Sequence, residues 1–242
     1  MSKLPKTIQL IAPVCLLLLS ISLNNATAQK LELRGQINSG FYSYRGASAV
    51  STSQINDATY TNNPYGRKPA ISYGASFNIK KVTSASIIYG GDIGYEILRS
   101  KVSLDYQDPL GGDIVWQFTG RTFLRNGFVN IFPFIGKRLK VGSQLVDITI
   151  GSDIGILTSS KEKGKATATQ QQSIVIKTSM DRNKNLSTDI RPRIQVSTDF
   201  NKIGIYAGYS YGLSNYYKGY IGLKNNQVYS RMLRLGISYR IK

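Results

Sequence analysis

Apolar and polar residues alternate along most of the chain after about the first thirty positions. In residues 31–41, for example, Leu31, Leu33, Ile37 and Phe41 take alternate positions, with polar or small residues between them. Because successive side chains of a strand point to opposite faces, this period of two indicates strands with one apolar face. Such segments occur at residues 31–41, 71–79, 85–97, 128–135, 146–156, 190–200, 203–211 and 229–241. An even number of strands can close on itself, so the pattern predicts an all-β fold, an eight-stranded antiparallel β-barrel of the up-and-down type.

The connections between these segments alternate in length. The tight ones are residues 80–84, 137–144 and 201–202. The long and polar ones are residues 46–68, 100–126, 159–185 and 214–227. Short turns on one side and long loops on the other are typical of outer-membrane barrels, and this layout puts both ends of the barrel domain on the periplasmic side. We expect the second long connection to contain a hairpin that projects beyond the membrane, and the third, with Lys161, Lys163 and Lys165, to be a solvated loop.

Alternation alone does not distinguish a membrane barrel from a soluble one. The residues on the other face of each strand decide between the two. They are mostly Gly, Ser, Thr and Asn, with a few charges of both signs. A water-facing exterior would carry many more Lys and Glu, whereas a narrow eight-stranded lumen is filled by small groups and self-neutralising ion pairs. Tyrosines such as Tyr73, Tyr95 and Tyr209 stand near strand ends, where aromatic rings meet lipid headgroups. The distribution favours a membrane barrel, so the predicted fold is an eight-stranded antiparallel transmembrane β-barrel.

The N-terminus predicts a cleavable signal peptide over residues 1–28. Lys3 and Lys6 precede an apolar stretch, residues 8–23, and Ala26-Thr27-Ala28 supplies an A-x-A cleavage pattern. Residues 29–242 then form one predicted barrel domain, located in the outer membrane. The chain has a formal net charge of +18, and removal of the two lysines leaves about +16. In an exported protein, this charge favours anionic partners such as outer-membrane lipid and lipopolysaccharide over nucleic acid.

Catalytic chemistry is limited by what the sequence lacks. It contains no histidine, and its single cysteine, Cys15, lies in the predicted signal peptide. Serine–histidine catalysis, imidazole metal ligation and thiolate chemistry are therefore excluded from the mature chain, and no cofactor or metal is expected. Inward carboxylates remain as alternative acid–base pairs or calcium ligands, namely Asp92 with Glu96 and Asp147 with Asp153.

A structural role for these carboxylates is the favoured interpretation. Arginines occupy the inward-facing positions of the sixth and eighth segments, as the carboxylates do on other segments. Charges buried in a lumen need partners of opposite charge. The predicted lumen ion-pair network consists of Asp92, Glu96, Asp147, Asp153, Arg191, Arg193, Asp199, Arg234 and Arg240.

The second half of the chain resembles the PorT-like outer-membrane β-barrel family of Bacteroidota. The resemblance is carried by Phe132-Pro133-Phe134-Ile135, by the Gly-rich residues 150–155, by the Gly- and Tyr-rich residues 204–215 and by residues 233–241. It covers most of the mature chain and is clearer from about Phe128 onward. The resemblance implies an eight-stranded barrel without a known catalytic site, and an association with secretion machinery for the member that names the family. One departure is the end of the chain, Ile241-Lys242, where such barrels usually place an aromatic residue.

The predicted function is that of a non-enzymatic barrel, a structural or interaction component of the cell envelope that holds its extracellular connections on a rigid scaffold. The expected partners are outer-membrane lipid, lipopolysaccharide and envelope or secretion-complex proteins, and the barrel is expected to be monomeric. Candidate extracellular contact residues are Tyr60, Tyr65, Arg67, Lys68, Lys161, Lys163, Lys165, Tyr216, Tyr217 and Tyr220. Two alternatives stay open: a small-solute pore, which a side-chain-filled lumen disfavours, and a lipid-modifying enzyme, which the lack of histidine disfavours.

Overall fold

The computed structural model describes residues 30–56, 60–109, 115–169, 174–182, 186–217 and 226–242. The predicted signal peptide and Tyr220 lie outside these ranges. The strands are β1 (Lys30–Arg45), β2 (Thr52–Ser53), β3 (Ile55–Asn56), β4 (Tyr60–Thr61), β5 (Lys68–Val82), β6 (Ile87–Pro109), β7 (Val115–Val141), β8 (Gln144–Ala168), β9 (Val175–Asp181), β10 (Thr188–Phe200), β11 (Ile203–Tyr211) and β12 (Tyr229–Arg240). No helix long and apolar enough to cross a membrane occurs in the described ranges.

Eight of these strands close into an antiparallel barrel, as the alternation predicts. Around the barrel, the order is β10, β11, β12, β1, β5, β6, β7 and β8, and β8 pairs back onto β10. The register shows the stagger that closure requires. Paired residues lead once around the barrel from Glu32 through Lys80, Gly90, Phe134, Gly151, Arg193, Ser210 and Met232 to Tyr42. The path returns to β1 about ten residues further along, so the strands are strongly tilted and the interior is just wide enough for side chains to fill it.

The two faces of the barrel wall reverse the usual distribution of polarity. Large apolar side chains point outward and are about half exposed, including Ile37 (62%), Phe77 (65%) and Ile150 (56%). Charged side chains point inward and are buried, with Arg191 and Asp153 both at 0%. An apolar exterior with a polar interior and no unpaired strand edge is the arrangement that lipid requires of a sheet. The protein is therefore a transmembrane β-barrel, and its outward apolar side chains form the belt that faces the lipid.

The short turns lie at one end of the barrel. β7 and β8 are joined by Gly142 and Ser143, and β10 and β11 by Asn201 and Lys202. Gly142 and Asn201 have positive φ angles of 61° and 59°, which two-residue hairpin turns require and which Gly and Asn tolerate best. The first strand begins and the last strand ends at this same end, so it is the periplasmic one by the rule for such barrels.

At the opposite end, three strands continue beyond the belt and form an extracellular sheet. β6 and β7 remain paired from Ile97 and Gly127 out to Pro109 and Val115, which is the projecting hairpin expected from the sequence. β8 continues alongside β7 to Ala168, and β9 pairs with β8 as a fourth strand. The prediction of a solvated loop at residues 159–185 is therefore wrong for most of this segment. The inner face of the sheet has its own apolar core, formed by Ile55, Leu104, Phe118, Ala166 and Ala168.

Candidate functional site

The centre of the lumen is organised around Asp153. This fully buried carboxylate lies 3.1 Å from Arg193 Nη1, 3.4 Å from Arg234 Nη2 and 3.9 Å from Arg191 Nε. It also accepts hydrogen bonds from Asn130 Nδ2 at 3.0 Å and Ser210 Oγ at 2.7 Å. Because both carboxylate oxygens are hydrogen bonded and three cations surround them, the buried charge is well compensated.

Three further carboxylates complete the same cluster. Arg234 donates to both oxygens of Glu96, with Nε–Oε1 and Nη2–Oε2 distances of 2.9 and 3.0 Å. This bidentate geometry is among the stronger side-chain interactions. Arg191 lies 3.7 Å from both Glu96 and Asp189. The last carboxylate, Asp92, accepts a hydrogen bond from Asn78 and lies 3.9 Å from Arg193 Nη1.

A second ionic cluster fills the periplasmic half of the lumen. Arg138 bridges two carboxylates, with Nη1 3.1 Å from Glu32 and Nε 2.7 Å from Asp147. Lys80 contacts the same two acids from β5. Next to them, Arg34 pairs with Glu32 and Asp199, and Arg240 pairs with Asp199. The cluster joins strands that are distant in sequence, so it ties the barrel together across its interior.

In the two clusters together, seven basic and seven acidic side chains meet. They are Arg34, Lys80, Arg138, Arg191, Arg193, Arg234 and Arg240, with Glu32, Asp92, Glu96, Asp147, Asp153, Asp189 and Asp199. The structure places all nine residues of the predicted network in these clusters. Sequence reasoning missed Glu32, Arg34, Lys80, Arg138 and Asp189. Glu32 and Arg34 have the inward parity of β1 and were available from the alternation. The other three stand at strand ends that resemble polar turns.

Aromatic rings fill the space that the ion pairs leave. Arg193 lies 4.1 Å from the centroid of Phe132, and Arg191 lies 5.2 Å from that of Phe128. These rings form the inward face of the fourth sequence segment, which is apolar on both faces, and the cations bind to their π-systems. Two small cavities between the lumen residues have volumes of about 20 and 10 Å³, room for about one water molecule each.

The extracellular mouth of the lumen is closed by a cluster of tyrosines. Tyr44 packs edge-on against Tyr42, Tyr65 and Tyr216, with ring centroids 5.0 to 5.2 Å apart. Tyr216 donates a hydrogen bond to Asp189 at 2.8 Å. Burial raises the pKa of the Tyr216 phenol well above its usual value, and the Asp189 carboxylate adds to this, so the hydroxyl remains a donor. The cluster caps the ionic network below it.

This packing corrects part of the predicted contact surface. Tyr65 and Tyr216 are buried, at 8% and 3% exposure, because their rings fill the mouth instead of facing solvent. Tyr217 is partly buried against the same cluster and packs on Tyr65 at 5.0 Å. Tyr60 lies on β4 with its ring 5.1 Å from the guanidinium of Arg182.

The acid–base and calcium interpretations of the carboxylates have no geometric support. Asp92 and Glu96 are held by different arginines, and Asp147 and Asp153 belong to different clusters. Within the described ranges, no group of three metal-binding side chains comes together. The carboxylates of the lumen act as counterions of buried arginine and lysine side chains.

The outer face of the extracellular sheet carries a second concentration of charge. We call it the basic sheet face: Lys68 at the start of β5, which pairs with Lys101 of β6, and, on β6 to β9, Arg99, Lys101, Arg121, Arg125, Lys161, Lys163, Lys165 and Lys177. Of the predicted contact residues, it includes Lys68, Lys161, Lys163 and Lys165. Arg67 is directed elsewhere and donates to the Gly46 carbonyl at 3.0 Å. The other five members were missed, because β6, β7 and β9 were not recognised as one sheet.

Strand register brings like charges into direct opposition on this face. Arg125 stands between Arg99 on β6 and Lys161 on β8. Arg121 pairs with Lys165, and Lys165 pairs with Lys177 on its other side. Lys68 likewise pairs with Lys101. Like charges directly opposite each other destabilise a sheet.

Few acidic side chains compensate this charge. On the described part of the outer face, the acids are Asp105 and Asp181, and Asp181 lies 3.4 Å from Lys161 with both side chains largely exposed. Another acid of the sheet, Glu162, is buried on the inner face and pairs with Arg182. Phe123 lies at the centre of the basic face, 4.8 Å from the Arg99 guanidinium and 6.0 Å from that of Arg121.

Comparison with known proteins gives weak structural similarity. No family model matches the chain, and no curated protein matches it. The attachment invasion locus protein Ail of Yersinia pestis, crystallised with the heparin analogue sucrose octasulfate, is 13% identical over 88% of this chain and 99% of its own, with a TM-score of 0.38. Neisserial surface protein A is 12% identical over 86% and 96%, with a TM-score of 0.30. The barrel assignment follows from the strand pairing of this chain, and the PorT-like resemblance stays a prediction.

Proposed function

We propose that this protein is a non-conducting, non-enzymatic outer-membrane barrel that serves as a scaffold for its extracellular sheet. The observation that carries the proposal is the lumen, in which seven basic and seven acidic side chains pair and aromatic rings occupy the remaining space. A lumen filled in this way leaves no continuous path for solutes. The sheet, in contrast, extends beyond the lipid-facing belt and offers its outer face to partners.

Rigidity supports the scaffold role. β6, β7 and β8 pass without interruption from the lipid-facing wall into the sheet, so the surface they present is held by the barrel itself. A binding surface on regular strands loses little conformational freedom when a partner binds. The PorT-like resemblance of the sequence supports a narrower form of the proposal, in which the barrel is an envelope component associated with secretion.

Planar-bilayer recording of the purified, folded protein tests the closed lumen. We expect no channels above the leak of the lipid, because paired side chains fill the described lumen and the two cavities between them hold about one water molecule each. A charge-neutral opening variant provides the positive control: Arg193→Ala with Asp153→Ala removes both members of a central ion pair and should admit ions if the barrel still folds. Stable channels of reproducible size in the unmodified protein would refute the proposal.

Photo-crosslinking in intact cells tests the scaffold role. A crosslinking residue at Lys163, on the outer face of the sheet, should capture envelope molecules more strongly than one at Lys202, in the periplasmic turn between β10 and β11. Equal capture at both positions would show that the sheet is not a preferred contact surface.

A further inference from the structure

We propose that the basic sheet face binds the phosphates of lipid headgroups in the outer leaflet of the membrane that holds the barrel. This inference rests on the proposed function, since it names the partner of the sheet presented there. It is carried by the position of the face relative to the lipid-facing belt, by its excess of cations over acids, and by its concentration, among the described residues, on one side of the barrel.

The position of the face is fixed by the strands that it shares with the belt. Along β6, the outward side chains change from Tyr95 and Ile97 to Arg99 and Lys101 within consecutive outward positions. Consecutive outward positions are about 7 Å apart along a strand. The first basic row therefore stands directly above the last apolar row, at the depth where acyl chains give way to headgroups. Because the face points away from the barrel axis, it is directed sideways over the surrounding lipid.

The charge of the face calls for an anionic ligand. Nine cations share one surface with two exposed acids, and five cross-strand pairs oppose like charges. A phosphate bound between neighbouring strands would relieve the repulsion and accept charge-assisted hydrogen bonds from the cations on both sides. Phe123, at the centre of the face, adds an apolar surface against which the non-ionic part of a lipid can pack.

The outward arginines on the side of the barrel opposite β7 differ from those of the basic sheet face. On that side, Arg45 stacks on the ring of Tyr211 at 3.5 Å and donates to the Gly212 carbonyl at 2.7 Å. Arg231 donates to Ser43 Oγ at 2.9 Å. Each of these outward arginines has a contact within the protein, and neither opposes another cation across the strands, since Arg45 pairs with Tyr229 and Arg231 pairs with Ser43 and Tyr211. A generic attraction to headgroups would surround the barrel evenly, whereas among the described residues of the extracellular end the opposed cations are concentrated on β5 to β9.

Lipid titration of the folded protein in uncharged detergent micelles tests the inference. The probes are lipid A with two phosphates, the same lipid after dephosphorylation, and a sulfated oligosaccharide without acyl chains, and bound molecules are counted by native mass spectrometry. The test variant is Arg125→Gln/Lys161→Gln/Lys163→Gln. The matched control is Lys137→Gln/Lys140→Gln/Lys202→Gln, which removes the same charge from exposed lysines at the periplasmic end.

We expect phosphorylated lipid A to bind more tightly than either other probe. A basic residue near an anionic surface contributes about fivefold in affinity, so the test variant should lose at least about tenfold, and the control less than about twofold. Equal affinity in the test variant and the unmodified protein would overturn the inference. An equal loss in the control variant would also overturn it, because binding would then depend on net charge and not on the basic sheet face. Preference for the sulfated oligosaccharide would assign the face to a soluble glycan instead. Bilayer recordings on the same preparation report separately on the closed lumen, so failure of either proposal is distinguishable from failure of the other.

Discussion

The lumen and the basic sheet face hold similar numbers of basic side chains, seven and nine, in opposite electrostatic settings. In the lumen, every cation has a carboxylate within ion-pair distance, and the acids and bases are equal in number. On the sheet face, cations oppose cations across the strands. Because the acidic residues of the described chain are concentrated inside the barrel, its large positive net charge is carried on the outside.

This difference shows that the two sets of charged side chains are under different physical constraints, one set being buried and the other hydrated. Charges withdrawn from water must be paired, because an uncompensated buried charge destabilises the fold by several kcal/mol. Charges at the membrane surface keep their hydration, so repulsion between them is tolerable and leaves them available to a ligand. Substitutions in the two regions should therefore change stability in opposite directions.

The largest effect is expected for Asp153→Asn. The substitution keeps the shape of the side chain but leaves Arg191, Arg193 and Arg234 without their shared counterion. We expect the free energy of unfolding to fall by about 3–5 kcal/mol. Urea unfolding in lipid vesicles, followed by the heat-dependent shift in gel mobility, measures it. Asp181→Asn removes an exposed partner and should change the free energy by less than about 1 kcal/mol. Similar losses in both variants would remove the distinction between lumen and surface.

A double-mutant cycle on Glu96 and Arg234 measures the pairing itself. Each of Glu96→Gln and Arg234→Gln should be destabilising, because each leaves a buried charge unpaired. The double variant should lose less than the sum of the two, by about 1–3 kcal/mol, since both charges are then absent. The same unfolding assay gives all four corners of the cycle. Additive losses would show that the bidentate contact does not stabilise the barrel.

Packing in the lumen is tested by Gly236→Ala. A methyl group at Gly236 would lie 2.2 Å from the ring of Tyr206, which fills the lumen beside β12. We expect a loss of about 1–3 kcal/mol in the free energy of unfolding, because the ring must shift within a filled interior. Gly35 provides the control, since nothing lies within 4 Å of a methyl group there. Gly35→Ala should be neutral within about 0.5 kcal/mol, and an equal loss at both positions would contradict a tightly filled lumen.

The barrel was predictable from sequence because its strands have a local signature. Alternation at period two indicates which side chains share a face, and the charges within that face point to the ion pairs. Non-local pairing was not predictable. Lys161, Lys163 and Lys165 alternate with Glu162, Gly164 and Ala166, a segment too polar to resemble a strand until β7 and β9 are seen to flank it. The inward positions of the Tyr65 and Tyr216 rings were also not predictable, because tyrosine suits both exposed and buried positions and only the contacts between distant segments decide between them.

The smallest expected effect is a gain in stability instead of a loss, and it concerns the basic sheet face. Lys165 stands between Arg121 and Lys177, so Lys165→Glu converts two repulsive cross-strand pairs into attractive ones. We expect the sheet to be stabilised by about 0.2–1 kcal/mol, measured as slower amide hydrogen exchange of β7 and β9 at low ionic strength. The gain should shrink at high salt, because the side chains are exposed and screened. The same variant should bind phosphorylated lipid A more weakly, so that stability and binding change in opposite directions. A destabilised sheet would mean that Lys165 already has a counterion, and the contrast between a paired interior and an unpaired exterior would then fail at this position.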